Sequence, residues 1–331
     1  MLRLKLKSQP TVRYTFCFVL LMLGAVFAEY FVRGVYKDVL ILTAINAIVC
    51  LGAVVTNTFA GQFSLGFGGI MLTAAYTASL FTLPPSYKTV FLNLPPFLAR
   101  LQWPFVPALL LGVLFSSLAS LFFVFPSFRL RGHYFILITL GLNVIFANLA
   151  INLRDWTHGP LGIRNIPFYT NAWWAFGGLG LTLWFLDRFI SSRFGRALIL
   201  VGRDETLAAS LGINVLFYKF LSFLISSIIQ GFAGVLWVHY IGSMHPNVFD
   251  LNFVFLIIAM YALGGSQRLS GAVLGAGIVT AVTHLARPIQ EGFKLFNYTI
   301  PPLMGLIQVL IALILIIVMI FRPEGIIRRK T

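Results

Sequence analysis

Apolar residues in this chain come in long runs, with charged residues largely confined to the intervals between them. Ten runs fall near residues 14–32, 39–59, 63–83, 104–125, 134–153, 172–186, 217–241, 251–264, 271–285 and 301–321. An apolar helix of about 20 residues crosses a hydrocarbon core of about 30 Å, so each run predicts a membrane-spanning helix. The runs at 172, 251 and 271 are shorter than the usual lower limit of about 17 residues and predict tilted, broken or re-entrant segments. The pattern therefore predicts an all-α, polytopic membrane bundle of nine or ten segments, a single transmembrane domain over residues 1–331.

Orientation follows from the basic residues, which accumulate on the cytoplasmic side of a membrane. With a cytoplasmic N-terminus and ten crossings, sixteen of the 24 Lys and Arg residues fall inside, including Arg3, Lys5, Lys7, Arg129, Arg193, Arg196, Arg203, Arg268 and Arg328. Both termini are then expected in the cytoplasm. So is the most polar interval, residues 187–219. Within it Asp204 is suited to cap a short helix whose N-terminal dipole favours Glu205; Leu207, Ala208, Ala209 and Leu211 continue it for about two turns until Gly212 can end it.

Composition agrees: 59% hydrophobic residues, 10% charged and a mean hydropathy of +0.92 exclude an ordinary soluble domain. The net charge of +15 is spread over loops between apolar runs, which points to membrane topology and anionic lipid rather than nucleic acid. Cys17 and Cys50 fall in expected spans without metal-ligand spacing. The basic leader before the first run, with Val26 and Ala28 spaced like a cleavage site, is read as the anchor of a retained span.

Several chemistries find no support. All nine acids, Glu29, Asp38, Asp155, Asp187, Asp204, Glu205, Asp250, Glu291 and Glu324, sit at span ends or in loops, which disfavours the buried titratable groups of many ion-coupled carriers. The chain has no Gly-Lys pair and so no phosphate-cradling loop of its own. His133, His158, His239, His245 and His284 lack convincing catalytic partners, and His239 and His245 are expected to be interfacial polar residues. No cofactor or metal is implied.

Candidate functional positions are the glycine-rich stretch Gly61-Gln62-Phe63-Ser64-Leu65-Gly66-Phe67-Gly68-Gly69 and the few polar residues inside spans. Glycines beside a polar pair let backbones approach closely, or let a helix break and turn polar groups toward a cavity. Asn46, Asn57, Ser64, Thr73, Thr139, Asn143, Asn148, Gln230 and Gln308 are expected on inward faces, since amides and hydroxyls in hydrocarbon seek a partner helix or a wet cavity. Gly231 with Gly234, Gly264-Gly265, and Gly271 with Gly275 read mainly as packing positions.

In order along the chain, Gly61-Gln-Phe-Ser-Leu-Gly66, Arg129-Leu-Arg-Gly132, Thr139-Leu-Gly141, Gly159-Pro-Leu-Gly-Ile163, Ser192-Arg-Phe-Gly-Arg196, Gly212-Ile-Asn214 and Phe321-Arg-Pro-Glu-Gly325 resemble the LivM-type permease subunits of bacterial branched-chain amino acid ABC importers. The related urea permeases are similar too. The resemblance spans about residues 39–326. It implies a subunit of the bacterial inner membrane, working with a homologous second permease, two cytoplasmic ATPase subunits and an external solute-binding protein. It further implies that Arg203, Asp204, Glu205, Ala208, Ala209, Gly212 and Asn214 form an ATPase-coupling helix. Gly61, Gln62, Ser64, Gly66, Thr139, Asn143 and Asn148 become candidates for the translocation pathway. Phe67 stands where the family more usually has His, which leaves a shifted substrate open. A stand-alone ion-coupled carrier and a membrane-embedded enzyme are the readings from other classes.

Overall fold

Water is absent from a bilayer core, so each backbone N–H and C=O there must be bonded within the protein, and a helix does this along its own axis. The computed structural model describes Met22, Gly24, Glu29 and residues 34–129, 134–265, 268–290, 294–295, 298–299, 305–322 and 325–326. The expected first span, Cys17, His133 and both termini lie outside the described residues, apart from those three positions in the first run.

In chain order the helices are α1 (Val35–Val54), α2 (Phe67–Thr82), α3 (Pro85–Phe91), α4 (Pro96–Arg100), α5 (Phe105–Val124), α6 (Tyr134–Asn152) and α7 (Arg154–Thr157). They continue with α8 (Ala172–Ser191), α9 (Arg193–Arg203), α10 (Glu205–Ser210), α11 (Val215–Ile241), α12 (Leu251–Gly264), α13 (Leu269–Gln290) and α14 (Leu306–Phe321). A two-residue antiparallel pair, β1 (Lys294–Leu295) with β2 (Tyr298–Thr299), lies between the last two helices. Among the described residues, five helices are long and apolar enough to cross a membrane: α1 with its π-helical extension, α5 with the short 3-10 turn after it, α6, α11 and α13. The pair α2 and α3, bent by 112° at Pro84, makes a sixth if it is one broken span.

Two runs expected to be short are not. The helix begun at Ala172 continues to Ser191, and the one around Gly271 covers 22 residues, because each passes through charged residues at its end that an apolar count leaves out. Only α12, at 14 residues, stays short. The run beginning at Phe63 is corrected in the other direction: its helix starts at Phe67, and residues 61–65 are not helical.

Lipid tails are as apolar as leucine, so close backbone contact and polar bonds must hold these helices together. Near the centre of the bundle, a Cβ on Gly234 of α11 would lie 2.5 Å from the Met71 carbonyl oxygen of α2, and one on Gly112 of α5 would lie 2.8 Å from the Ala74 carbonyl oxygen. Asn46 donates to Thr280 Oγ1 at 3.0 Å, joining α1 to α13. Ser226 donates to the Gly52 carbonyl at 2.7 Å and accepts from Gln230 at 2.9 Å, joining α11 to α1. Asn148 departs from the expectation of inward placement and lies on an exposed face, whereas Gln308 is exposed to an open cleft between helices.

His239 is also corrected. It is fully buried, not interfacial, with Nδ1 2.9 Å from the Val235 carbonyl and Nε2 2.9 Å from Thr82 Oγ1. A carbonyl can only accept, so a neutral ring donates through Nδ1 and accepts a hydrogen bond from the Thr82 hydroxyl at Nε2. The rings of Phe105 and Tyr169 close around it.

Connecting segments touch in a consistent pattern. Ile163 and Met244 form an antiparallel bridge, Asn93 N donates to the Asp155 carbonyl at 3.1 Å, and Tyr240 donates to Asp38. Away from these, Gly61 meets Gly202, and Ile326 N donates to the Leu263 carbonyl at 3.0 Å.

Gly275 and Gly277 supply a matched test of the packing. A Cβ on Gly275 collides with the Met260 carbonyl, whereas one on Gly277 reaches only Thr43 Cγ2, at 3.7 Å. Gly275→Ala is expected to destabilise the protein by about 1–3 kcal/mol through overpacking. Gly277→Ala is expected to stabilise it by about 0.5–1 kcal/mol through helix propensity. Thermal unfolding of both variants in detergent checks this.

Candidate functional site

The glycine-rich stretch interrupts the bundle between α1 and α2. The chain leaves α1 through a π-helical turn, Val55–Phe59, and reaches Gly61 with φ of +65°, a left-handed conformation that glycine adopts without steric penalty. The exposed backbone groups then find partners. Gln62 N donates to the Thr56 carbonyl at 3.0 Å, Ser64 N to Asn57 Oδ1 at 2.8 Å and Leu65 N to Thr139 Oγ1 at 3.0 Å. Asn57 Nδ2 donates to the Ser64 carbonyl at 3.2 Å and to Tyr261 Oη at 2.9 Å. One amide side chain thus replaces both missing backbone partners of Ser64 and ties the break to α12.

The structure brings most of the expected pathway residues together. A Cβ on Gly66 would sit 3.1 Å from the Thr139 carbonyl oxygen, one on Gly68 2.7 Å from Asn143 Oδ1, and one on Gly69 3.0 Å from the Asn143 Cα. Small residues here let α6 lie against the start of α2. Thr139 and Asn143 are buried and hydrogen-bonded within the chain, Thr139 to Leu65 and to its own helix, Asn143 to the Phe249 carbonyl at 3.4 Å. Gln62 is buried too, accepting from Ser222 Oγ of α11 at 3.3 Å. Phe67 is buried among core residues, while Phe63 is 39% exposed. Asn148 stands apart from this group on the exposed side of α6, donating to the Val144 carbonyl of its own helix.

The second group of candidates forms a capped helix. Asp204 Oδ1 accepts from Thr206 N at 2.9 Å and Leu207 N at 3.0 Å, satisfying donors that the first turn of α10 leaves free. The Thr206 hydroxyl bond and then the Leu207 amide bond hold the Asp204 carboxyl below the usual aspartate range. The charged cap is therefore complete at neutral pH and is lost only as pH falls through the lowered pKa. At the other end Gly212, with φ of +77°, donates to the Ala209 carbonyl at 3.0 Å, and Ile213 N donates to the Ala208 carbonyl at 3.0 Å; these two bonds make a Schellman stop. Asn214 Oδ1 then caps α11 through Phe217 N at 3.1 Å.

Arg203, Asp204, Ala209, Gly212 and Asn214 are exposed, as are Leu207 and Leu211. Ala208 is fully buried, so it seats the helix on its own chain. Glu205 pairs with Lys219 of α11. The α9 helix was hidden in the sequence because Arg193, Arg196 and Arg203 read as a polar break. Its signal was Ser192, which caps it through Gly195 N at 3.2 Å, followed by Gly195, Leu198 and Val201 on one buried stripe.

A cleft of about 360 Å³ opens between α12, α13 and α14. Asp250, Asn252, Arg287 and Gln308 contribute its polar wall, and Phe253, Leu256 and Ile311 its apolar wall. The Asp250 carboxylate is engaged by its own helix, Oδ1 accepting from Phe253 N at 3.1 Å and Oδ2 from Asn252 Nδ2 at 2.8 Å. Sequence reasoning missed the cleft because its residues come from three separate spans. Among the described residues, no group of three or more His, Cys, Asp or Glu could hold a metal ion.

The family model described as the permease component of branched-chain amino acid transport systems matches residues 35–320, a range that takes in the glycine break, α9, α10 and the cleft. The chain belongs to this family. It is a permease subunit of an ATP-binding-cassette importer, and the family is one of transport subunits rather than catalysts. The high-affinity branched-chain amino acid permease LivM of Salmonella typhimurium is 27% identical, with the alignment covering 95% of this chain and 75% of the relative. LivM of Escherichia coli K12 has the same identity and coverage. A nucleoside ABC transporter permease of Lactococcus lactis is 26% identical over 76% of this permease and 80% of its own length. No solved structure matches the permease.

The capping geometry gives a direct test. Asp204→Ala and Gly212→Val are each expected to speed amide exchange at residues 206–213 several-fold, with Asp204→Asn close to the parent because asparagine also caps. Hydrogen–deuterium exchange on the purified protein, with α11 as the internal reference, reads this.

Proposed function

We propose that this permease passes branched-chain or other hydrophobic amino acids across the bacterial inner membrane. In this reading an external binding protein delivers the substrate, and two ATPase subunits drive a pair of homologous permeases. The observation that carries it is α10, a short helix capped at both ends and exposed beside the apolar bundle, in a chain with no phosphate-binding loop. Such a helix has the form of a handle for a separate motor. Residues Arg203 to Asn214 are the proposed docking segment, with Arg203, Asp204, Ala209, Gly212 and Asn214 facing outward.

The proposed topology is ten crossings with both termini in the cytoplasm. Its support is the consistency of the loop contacts: Ile163 with Met244, Asn93 with Asp155, Asp38 with Tyr240, Gly61 with Gly202 and Gly265 with Gly325 each join two segments separated by an even number of expected crossings. The proposed pathway runs beside Gly61, Gln62, Ser64, Gly66, Thr139 and Asn143, with Asn148 contributing from the exposed face of α6. The amino-acid reading is supported by the names of the LivM relatives.

The test is reconstitution of this chain with its partner permease, ATPases and binding protein in vesicles. Leucine uptake is expected to depend on ATP and on the binding protein, and to fall to background when either is withheld. Uptake of urea but not leucine would shift the substrate class. Ionophore-sensitive uptake into vesicles holding this chain alone would overturn the ATP-driven reading.

A further inference from the structure

The Gly61–Gly202 contact is unusually direct. A Cβ on Gly61 would lie 2.7 Å from the Gly202 carbonyl oxygen and 3.1 Å from its Cα. In return, a Cβ on Gly202 would lie 2.9 Å from the Ala60 carbonyl carbon, 3.0 Å from Gly61 N and closer still to the Phe59 carbonyl oxygen. Neither residue tolerates a methyl group, so the two backbones meet with no side chain between them. Side chains can rotate to absorb a displacement, whereas main chain in van der Waals contact transmits it.

What lies on each side of this contact gives it a purpose. Gly202 is the penultimate residue of α9, and Asp204 caps α10 two residues later. Gly61 is the second residue of the non-helical stretch between α1 and α2, and the π-helical turn Val55–Phe59 precedes that stretch. A π turn widens the helix by one residue and is frequent at functional sites. Two further links brace the contact against α11: Gln62 to Ser222, and Glu205 to Lys219. The opposite end of the stretch is bonded from Leu65 N to Thr139 of α6.

We propose that α9, α10 and residues 60–62 move as one body, with the Gly61–Gly202 contact as the joint that carries displacement of the docking helix into the Gly61–Gly66 stretch. The π turn then serves as the hinge, and Gly202 as a positioning residue. This rests on the docking reading above. It adds the site where motor movement enters the membrane-embedded part of the chain.

The test uses the complete reconstituted complex, with Phe63→Cys as a reporter in a background lacking Cys17 and Cys50. Labelling of that cysteine by a membrane-impermeant thiol reagent is compared between the nucleotide-free and vanadate-trapped complexes. In the parent complex labelling is expected to change by about fivefold or more between the two states. Gly202→Ala is expected to keep complex assembly and ATP hydrolysis while abolishing the labelling change and lowering uptake per ATP about tenfold. Ser222→Ala, which adds no bulk, is expected to reduce the labelling change in part, and it decides the matter if Gly202→Ala does not assemble. An unaltered labelling change in an assembled Gly202→Ala complex overturns the joint, as does an unaltered change in Ser222→Ala when that variant decides. So does a Gly202→Ala complex that assembles but loses ATP hydrolysis together with uptake, because the residue would then belong to the motor's seat. A parent complex with no ATP-dependent uptake would instead overturn the docking reading.

Discussion

Buried backbone polar groups that leave a helix must be bonded again within the protein, and the rest of this structure is arranged around one place where that happens. Between α1 and α2 the chain gives up helical bonding, and Thr56, Asn57 and Thr139 supply the missing partners. Asn57 is the centre of this repair. Its amide bonds both backbone groups of Ser64 and reaches Tyr261, so α12 is tied to the same point. Thr139 fixes α6 there as well, and the glycines at 66, 68 and 69 allow α6 to lie close. Removing these partners would leave buried polar groups unsatisfied, at a cost of about 1–3 kcal/mol each.

The repaired break explains why a permease can hold a non-helical segment stable yet able to move. Hydrogen bonds from side chains tolerate small rotations that a regular helix does not. In the proposed reading the contact with Gly202 is a mechanical input from outside the bundle; the Schellman stop at Gly212 and the Asp204 cap hold the two ends of α10. Alternating access needs two discrete arrangements whose balance an external contact can shift, and these features form a short physical route for that shift.

Much of this was legible in the sequence. Apolar run length located every long helix among the described residues, and Asp204 and Gly212 marked the ends of α10 through capping chemistry that is local by nature. The glycine stretch could be singled out, but its partners could not. Asn57 and Thr139 lie on different spans from the groups they satisfy or share, and nothing local couples residue 61 to residue 202. The ends of α8 and α13 were misjudged because charged residues can continue a helix beyond its apolar part. His239 reads as an interfacial residue in the sequence because its partner Thr82 belongs to another span. Helix α9 was missed because an amphipathic helix lying outside the bundle looks polar when only apolar length is counted.

The most direct test of the account is a pair of distances measured by electron–electron resonance on spin labels in the assembled complex, with and without trapped nucleotide. One pair joins Phe63 to Leu207, both exposed, across the proposed joint; the other joins Leu207 to Phe255 on α12, which is also exposed. A rigid joint predicts that the first distance stays fixed while the second shifts by several ångströms as the docking helix moves against the bundle. A change in the first distance equal to that in the second would contradict it, because the docking helix would then slide past the glycine stretch without moving it.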